Sequence, residues 1–225
     1  MSRVVLYLVR HGAIMSAAGK AFIGQIDAPL SPDGVEQAWA LRKWLEAVRF
    51  SRVISSDLSR SRRTARIIAG CRADRVEAMP ALREISLGTW EGLMFQEIRE
   101  RFPEEYAARG RDIENWRPPR GESFADCRAR VMTAIDEIAA DSEGNVLVGG
   151  HAGVNRLILC SVLGIPVGNL HSIGQDYGCV NIIEFAPGRA RVQLVNYTPV
   201  PVRRLNRISF RAAAAQGVVS AEVST

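Results

Sequence analysis

Short apolar runs alternate with amphipathic stretches along the first third of the chain. The runs are typical of strands buried on both faces of a sheet, whereas apolar residues spaced three or four apart indicate helices. Ser31 and Pro32 form an N-cap and a first helical residue, and Ser56 with Asp57 is expected to cap a second helix. The elements predicted here are a strand over residues 3–9, a helix over 32–48, a strand over 52–55 and a helix over 58–69.

The remaining two thirds predict an irregular middle followed by regular elements. The irregular segment spans residues 82–121 and contains one predicted short helix. The expected elements are helix 94–101, helix 124–140, strand 145–149, a helix through residue 163, and a hairpin of strands 180–185 and 190–195. This order predicts an α/β domain over residues 1–200 with a mostly parallel sheet covered on both faces. Residues 201–225 lose the pattern and predict a poorly ordered tail.

Composition is that of an ordinary globular protein, with 225 residues of which 47% are hydrophobic and 24% charged. The first apolar run has six residues, far fewer than the roughly 20 that a membrane span requires. No signal-peptide pattern follows it, so a cytoplasmic location is expected. The four cysteines form no Cys-x-x-Cys pair, which argues against a zinc site or a disulfide framework and favours reduced, mostly buried thiols.

Charge adds a preference for anionic ligands. The formal net charge is +5, and only two of the 29 basic residues are lysine. No basic run is interleaved with aromatic residues, so neither a nucleic-acid nor a membrane partner is expected, and small anions fit the charge well. Because arginine is abundant, one arginine in a motif is weak evidence. Histidine is informative, since there are only three.

Two of the histidines follow predicted strands directly. His11 lies between Arg10 and Gly12, and His151 follows Gly150. Ligands of open α/β sheets bind at the carboxyl ends of the strands, so the two imidazoles are expected to meet if those strands are neighbours. His171 has no motif around it and is expected to be an ordinary surface or core residue.

Two further segments carry candidate chemistry. Arg60 lies in the first turn of the helix after the second strand, where backbone N–H groups also favour anions. The segment 82–92 contains two candidate carboxylates, Glu84 and Glu91. In an extended segment Glu84 projects opposite to its neighbours, whereas Glu91 is expected to hold a loop beside Trp90.

Four motifs in this order resemble the histidine phosphatase superfamily, in particular its phosphoglycerate-mutase-like branch. They are Arg-His-Gly (10–12), Ser-Asp-Leu-x-Arg-x-x-x-Thr-Ala (56–65), Leu-x-Glu-Ile-x-x-Gly-x-Trp-Glu-Gly (82–92) and Gly-His-Ala-Gly (150–153). The resemblance extends from Arg3 to about Val195. It implies a three-layer α/β/α sandwich, no metal or other cofactor, and a covalent phosphohistidine intermediate.

The resemblance implies a role for each motif. His11 is the expected nucleophile, and it needs one neutral ring nitrogen for in-line attack. Arg10 and Arg60 are expected to bind phosphate oxygens, and His151 to donate another hydrogen bond to the transferring group. Glu84 matches the position of the family's acid, which protonates the leaving oxygen and later activates water.

One stretch departs from the family pattern. Residues 13–17 are mostly apolar where many members carry polar residues that contact phosphate. Ser16, or backbone N–H groups of Ile23 and Gly24, are the expected replacements, and Ala152 is placed with them among the substrate-binding residues. Segments 22–30 and 175–181 resemble α-ribazole phosphatases or broad small-molecule phosphatases.

The expected function is therefore that of a metal-independent phosphatase acting on a small phosphomonoester, with α-ribazole 5′-phosphate as one candidate. The alternatives are a phosphoglycerate mutase and a catalytically weak binding or regulatory protein of the same fold. Mutases of the family usually carry a longer middle insertion than this chain has. A homodimer is left open. Specificity is expected to reside around Trp90, Phe95, Trp116 and Arg120.

Overall fold

The protein was analysed as a computed structural model that describes residues 3–15 and 21–199. The predicted tail and Ser16 lie outside these residues. The strands are β1 (Val4–Arg10), β2 (Phe50–Ser55), β3 (Glu77–Ala78), β4 (Gly144–Gly150), β5 (Val180–Ala186) and β6 (Arg189–Tyr197). The α-helices are α1 (Pro32–Trp44), α2 (Ser59–Ala69), α3 (Phe95–Arg101), α4 (Pro103–Arg111), α5 (Phe124–Ala140) and α6 (Ala152–Leu163). Short 3₁₀ helices cover Gly70–Arg75, Pro80–Leu82, Gly88–Trp90 and Val167–Ser172.

The sheet has six strands in the order β3-β2-β4-β1-β5-β6. Strands β3, β2, β4 and β1 are parallel neighbours, and β5 and β6 add the predicted antiparallel hairpin. Arg10 of β1 lies opposite Gly150 of β4, and Ser55 of β2 lies opposite Gly149. The carboxyl ends of β1, β2 and β4 therefore meet at one edge, which is the arrangement the two strand-end histidines require.

Alternate residues of the strands face two separate cores. Leu6 and Val146 pack with the apolar sides of α5 and α6 on one face. Val9 and Leu147 pack with α1 and α2 on the other. This alternation follows from the two-residue period of a strand and buries both faces of the sheet. The prediction of a three-layer α/β/α sandwich is confirmed.

Element boundaries differ from expectation mainly in the middle of the chain. Helix α4 was not predicted, although Pro103 at its first position, glutamates in its first turn and arginines in its last turn are ordinary helix signals. Helix α1 ends at Trp44 and so is shorter than expected. The structure also contains the two-residue strand β3, which is too short to show a periodic pattern.

The predicted cap of α2 by Ser56 and Asp57 is wrong in part. The Ser56 hydroxyl accepts a bond from Leu58 N at 3.3 Å. The Asp57 carboxylate instead pairs with Arg83 at 2.6 Å. The first N–H of α2, that of Ser59, donates to the Asp27 carboxylate at 2.7 Å, so a loop distant in sequence supplies the acceptor.

Two composition-based expectations can be compared with the structure. All four cysteines are free, and Cys71 alone is exposed. Within residues 3–15 and 21–199, no helix is both long and apolar enough to cross a bilayer.

Candidate active site

A cavity of about 260 Å³ opens at the carboxyl edge of the sheet. The structure brings most of the residues singled out in the sequence to its wall. Those that line it are Arg10, His11, Ile23, Gly24, Arg60, Glu84 and Ala152. His151 is fully buried beside His11, with the two ring centroids 5.1 Å apart. The strand register thus produces the meeting of imidazoles that the sequence predicted.

Local hydrogen bonding fixes the tautomer of His11. Its Nδ1 lies 2.8 Å from the carbonyl oxygen of Gly12, which can only accept, so Nδ1 carries the proton. Nε2 is left with its lone pair, and Nε of Arg60 donates to it at 3.3 Å. Burial, and then the charges of Arg10 and Arg60, hold the pKa of His11 well below its usual value. The ring is therefore a neutral base with one unprotonated nitrogen.

Arg60 is almost completely buried and firmly held. Its Nη1 donates to the carbonyl of Ile26 at 2.6 Å, and its Nη2 to that of Gly24 at 2.7 Å. Gly24 has a φ of +51°, a backbone conformation that favours glycine, and a side chain there would collide with Glu91. Gly24 thus contributes a carbonyl that positions Arg60. Each terminal nitrogen of Arg60 keeps a second N–H for an anion.

Arg10 is held from the opposite side of the cavity. Its Nη1 donates to the carbonyl of Gln175 at 2.5 Å, and its guanidinium lies 3.7 Å from the ring centre of Tyr177. The Nε of Arg10 is buried and has no hydrogen-bond partner among the residues described. Stacking on Tyr177 fixes the orientation of the Arg10 guanidinium, and its Nε–H stays available as a hydrogen-bond donor.

A buried amide network that no motif predicted supports Arg10. The side chain of Gln175 accepts from Asn155 at 3.1 Å and from Asn181 at 3.0 Å, and it donates to Asn181 at 2.7 Å. Asn181 in turn donates to the carbonyl of Leu8 at 3.1 Å. Isolated amides carry no motif, so only the fold reveals this network.

His151 has polar atoms without partners. Both ring nitrogens are buried, and neither has a hydrogen-bond partner in the described part of the chain. Burial, followed by the neighbouring His11 and Arg60, lowers the pKa of His151 well below its usual value. Buried polar atoms are seldom left unpaired, because the lost hydration is costly. This ring therefore points to a ligand at the site.

The two glutamates of segment 82–92 have different environments. Glu84 lines the cavity and accepts from the first N–H groups of α6, those of Gly153 at 3.0 Å and Val154 at 3.2 Å. Glu91 does not line it and accepts from the N–H groups of Gln25 at 3.0 Å and Leu87 at 2.9 Å. Glu91 thus holds the loop, as its position beside Trp90 predicts.

The expected specificity region is only partly in place. Of its four residues, Phe95 alone lines the cavity. Trp90 is buried and packs against Trp116, with ring centroids 4.7 Å apart. The wall also contains Tyr177, from the segment 175–181 singled out above, and residues that no motif indicated: Phe124, Leu170, Arg109, Arg156 and His171. His171, expected to be an ordinary residue, is therefore part of the cavity wall.

Comparison with known proteins identifies the family of this chain. A family model described as "Histidine phosphatase superfamily (branch 1)" matches residues 6–198. The chain belongs to the histidine phosphatase superfamily. An adenosylcobalamin/alpha-ribazole phosphatase of Salmonella typhimurium is 32% identical, covering 85% of this chain and 95% of that protein. A glucosyl-3-phosphoglycerate phosphatase of Mycolicibacterium vanbaalenii is 32% identical, covering 75% and 78% respectively.

A solved structure shows the same likeness in three dimensions. The crystal structure of a putative alpha-ribazole-5′-P phosphatase from Escherichia coli superposes with a TM-score of 0.79 at 28% identity, covering 86% of this chain and 96% of the other.

Within the described residues of this histidine phosphatase, no group of three or more His, Cys, Asp or Glu side chains is placed to hold a metal ion.

Proposed function

We propose that this histidine phosphatase hydrolyses small phosphate monoesters through a phosphoryl group carried on His11. The observation that carries the proposal is the state of Nε2, an unprotonated nitrogen on a neutral ring at the cavity wall, whose lone pair accepts a 3.3 Å hydrogen bond from Nε of Arg60. Arg10 and Arg60 stand beside it with unused donors, and His151 offers a further one. Such donors stabilise the charge that spreads over the transferring phosphoryl oxygens.

The proposed reaction has two steps. In the first, Nε2 of His11 forms a bond to phosphorus as the bond to the leaving oxygen breaks, and protonated Glu84 gives its proton to that oxygen. In the second, Glu84 takes a proton from water, whose oxygen bonds to phosphorus while the N–P bond breaks. Free phosphate leaves, and His11 and Glu84 return to their starting states.

The leaving group faces a mixed wall. Phe22, Phe95 and Phe124 provide apolar surface, and arginines lie among them. Because relatives named alpha-ribazole phosphatases are similar over most of this chain, α-ribazole 5′-phosphate belongs in the first panel of substrates. The cytoplasmic location, the homodimer and the absence of nucleic-acid and membrane partners stay predictions from the sequence.

Trapping the intermediate tests the proposal. Wild-type protein is mixed briefly with a ³²P-labelled monoester and quenched in denaturant at alkaline pH. Base-stable, acid-labile label is expected on His11 and is expected to vanish in His11→Ala. His171→Ala, which also removes one histidine, is expected to keep the label. Label that persists in His11→Ala would contradict the proposed nucleophile.

The fate of the label separates the alternatives. Release as inorganic phosphate at the rate of turnover is the outcome expected for a phosphatase. A stable phosphoenzyme that passes its label to phosphoglycerate would indicate a mutase. A wild type that never becomes labelled by any ester of the panel would indicate a binding member of the fold.

A further inference from the structure

Two arginines in the cavity wall have no carboxylate partner. Arg109 comes from α4 and Arg156 from the second turn of α6, and both are half-buried. Arg156 donates from Nε to the carbonyl of Ile173 at 2.8 Å. The guanidinium of Arg109 lies 5.8 Å from the ring centre of Phe22. Neither arginine forms an ion pair with any residue that the structure describes.

Half-buried arginines of this protein differ in this respect: some are ion-paired, whereas others, such as Arg10 in the same cavity, have no ion pair among the described residues. Arg130, which is also half-buried, pairs with Glu122 at 2.6 Å. Burying a cation is costly unless an anion or several acceptors compensate it. Burial lowers the pKa of Arg109 and of Arg156, which is the electrostatic sign of that cost. The two side chains are thus suited to an anion that enters the cavity.

The two charges line one cavity together with His171. Burial is the largest influence lowering the pKa of His171, and the next are the charges of Arg156 and Arg109. Both arginines line the same cavity as His171, and the charges of Arg10 and Glu84 also act on Arg156. They come from elements other than those that carry Arg10 and Arg60, which lie at the end of β1 and the start of α2.

Charge balance points the same way. Among the described residues that line the cavity, four arginines and one glutamate leave a formal excess of three positive charges. A phosphate monoester brings a charge of about −1.5 to −2 at neutral pH. At least about one positive charge remains unbalanced after such a substrate binds, and a charge is costly in a partly dehydrated cavity.

We propose that Arg109 and Arg156 bind a second anionic group, a carboxylate or a phosphate, on the leaving-group side of the substrate. The planar guanidinium is suited to either anion, because it offers paired N–H donors. The inference rests on the proposed function, since His11 defines which end of the cavity holds the transferred phosphoryl group. The inference predicts that phosphate esters of acidic alcohols bind more tightly than phosphate esters of neutral alcohols. α-Ribazole 5′-phosphate belongs to the second group.

Binding of unreactive analogues tests the inference without turnover. The probes are 4-phosphonobutanoate, its neutral amide 4-phosphonobutanamide, and propane-1,3-diylbisphosphonate, all with the same three-carbon spacing. Calorimetry is expected to show that wild-type protein binds the carboxylate or the bisphosphonate about 10- to 100-fold more tightly than the amide. Which of the two binds more tightly distinguishes a carboxylate from a second phosphate.

Variants assign the preference to the arginines. Arg109→Gln removes a side chain with no hydrogen bond to the described fold, and is expected to abolish most of the preference while leaving affinity for the amide unchanged. Arg156→Gln is expected to do the same, and Arg156→Lys to retain part of it. Arg111→Gln is the matched control, because Arg111 is exposed on the same helix and does not line the cavity.

Each outcome decides one statement. Equal wild-type affinity for the acidic probes and the amide overturns the second-anion site. An equal loss of affinity for the acidic probes and for the amide in Arg109→Gln and Arg156→Gln also overturns it. A wild type that becomes labelled on His11 but shows no anion preference overturns this inference alone. A wild type that prefers the acids yet never forms the phosphoenzyme supports the site and overturns the proposed reaction.

Discussion

The two ends of the cavity are built differently. At the reaction end, Arg60 makes three hydrogen bonds, to two carbonyls and to His11. At the recognition end, which Arg109 and Arg156 line, Arg109 makes no hydrogen bond or ion pair with a described residue. Its guanidinium lies 5.8 Å from the ring centre of Phe22. Both side chains carry the same charge in the same cavity. Arg60 is thus held by several hydrogen bonds and Arg109 by none that the structure describes, while Arg156, at the same end as Arg109, is held by one bond to the carbonyl of Ile173.

The chemistry explains this division. A transition state requires donors whose positions do not change during the reaction, so fixed groups at strand ends and a helix start are effective there. A leaving group is recognised by charge and shape, and helix side chains with free rotamers serve that purpose. Four predictions test this contrast, beginning with the largest effect.

The first prediction concerns the acid. Glu84→Gln should slow phosphoenzyme formation from alkyl phosphates by about 10²–10⁴-fold, because an alkoxide leaves poorly without a proton. With p-nitrophenyl phosphate the slowing should be much smaller, since nitrophenolate leaves unprotonated. Pre-steady-state rates on both substrates measure the effect.

Glu91→Gln is the matched control for Glu84→Gln. It lies in the same segment but does not line the cavity, and it accepts hydrogen bonds from the N–H groups of Gln25 and Leu87. Its rates should show no dependence on the leaving group. A leaving-group-dependent defect in Glu91→Gln, with Glu84→Gln near wild type, would reverse the assignment.

The second prediction tests the rigidity of the reaction end. Gln175→Leu leaves the buried amide of Asn155 without its described acceptor and removes one of the two described acceptors of Asn181. The free energy of unfolding should fall by about 2–4 kcal/mol, as urea denaturation would measure. Arg109→Gln breaks no described hydrogen bond and should change the same quantity by no more than about 0.5 kcal/mol.

Gln193→Leu controls for the loss of an amide as such. Gln193 is exposed on β6 and bonds to Glu184, so the unfolding free energy should change little. A similar loss in Gln193→Leu and Gln175→Leu would remove the special status of the buried network.

The third prediction concerns pH. Because burial, Arg10 and Arg60 lower the pKa of His11, its ring should stay neutral, and the enzyme active, well below pH 6.5. Arg60→Gln removes one of these cations, so the pKa should rise and the acidic limb of the pH–rate profile should move to higher pH. Comparing both proteins on the same ester cancels the titration of the substrate. An unmoved limb would show that Arg60 does not set the protonation of His11.

The fourth prediction is that removing divalent metal ions has no effect on activity. EDTA should leave turnover unchanged, because arginine and histidine donors are proposed to supply the positive field that a metal provides elsewhere. Activity in EDTA, with and without added Mg²⁺ or Zn²⁺, measures this. Loss of turnover that a divalent ion restores would contradict the metal-free mechanism.

Local patterns predicted the reaction end well. His11 and His151 each follow a continuous apolar run, and a residue directly after a buried strand must appear at the edge of the sheet. Ser31 fulfils its predicted N-cap role by accepting from Gly34 N at 3.1 Å. Arg60 stands in the first turn of its helix for the same reason of sequence proximity. These features depend on spacing over a few residues, which the sequence records directly.

The sequence by itself thus determined the family, the alternation of strands and helices, and the residues proposed to react. Only the tertiary structure decided the recognition end and the supports of the reactive groups. Arg109 and Arg156 belong to none of the four motifs, 27 of the 29 basic residues are arginines, and the resemblance of segment 175–181 did not indicate what Gln175 contacts. Their roles arise from packing between elements distant in the chain, and such contacts leave no local pattern.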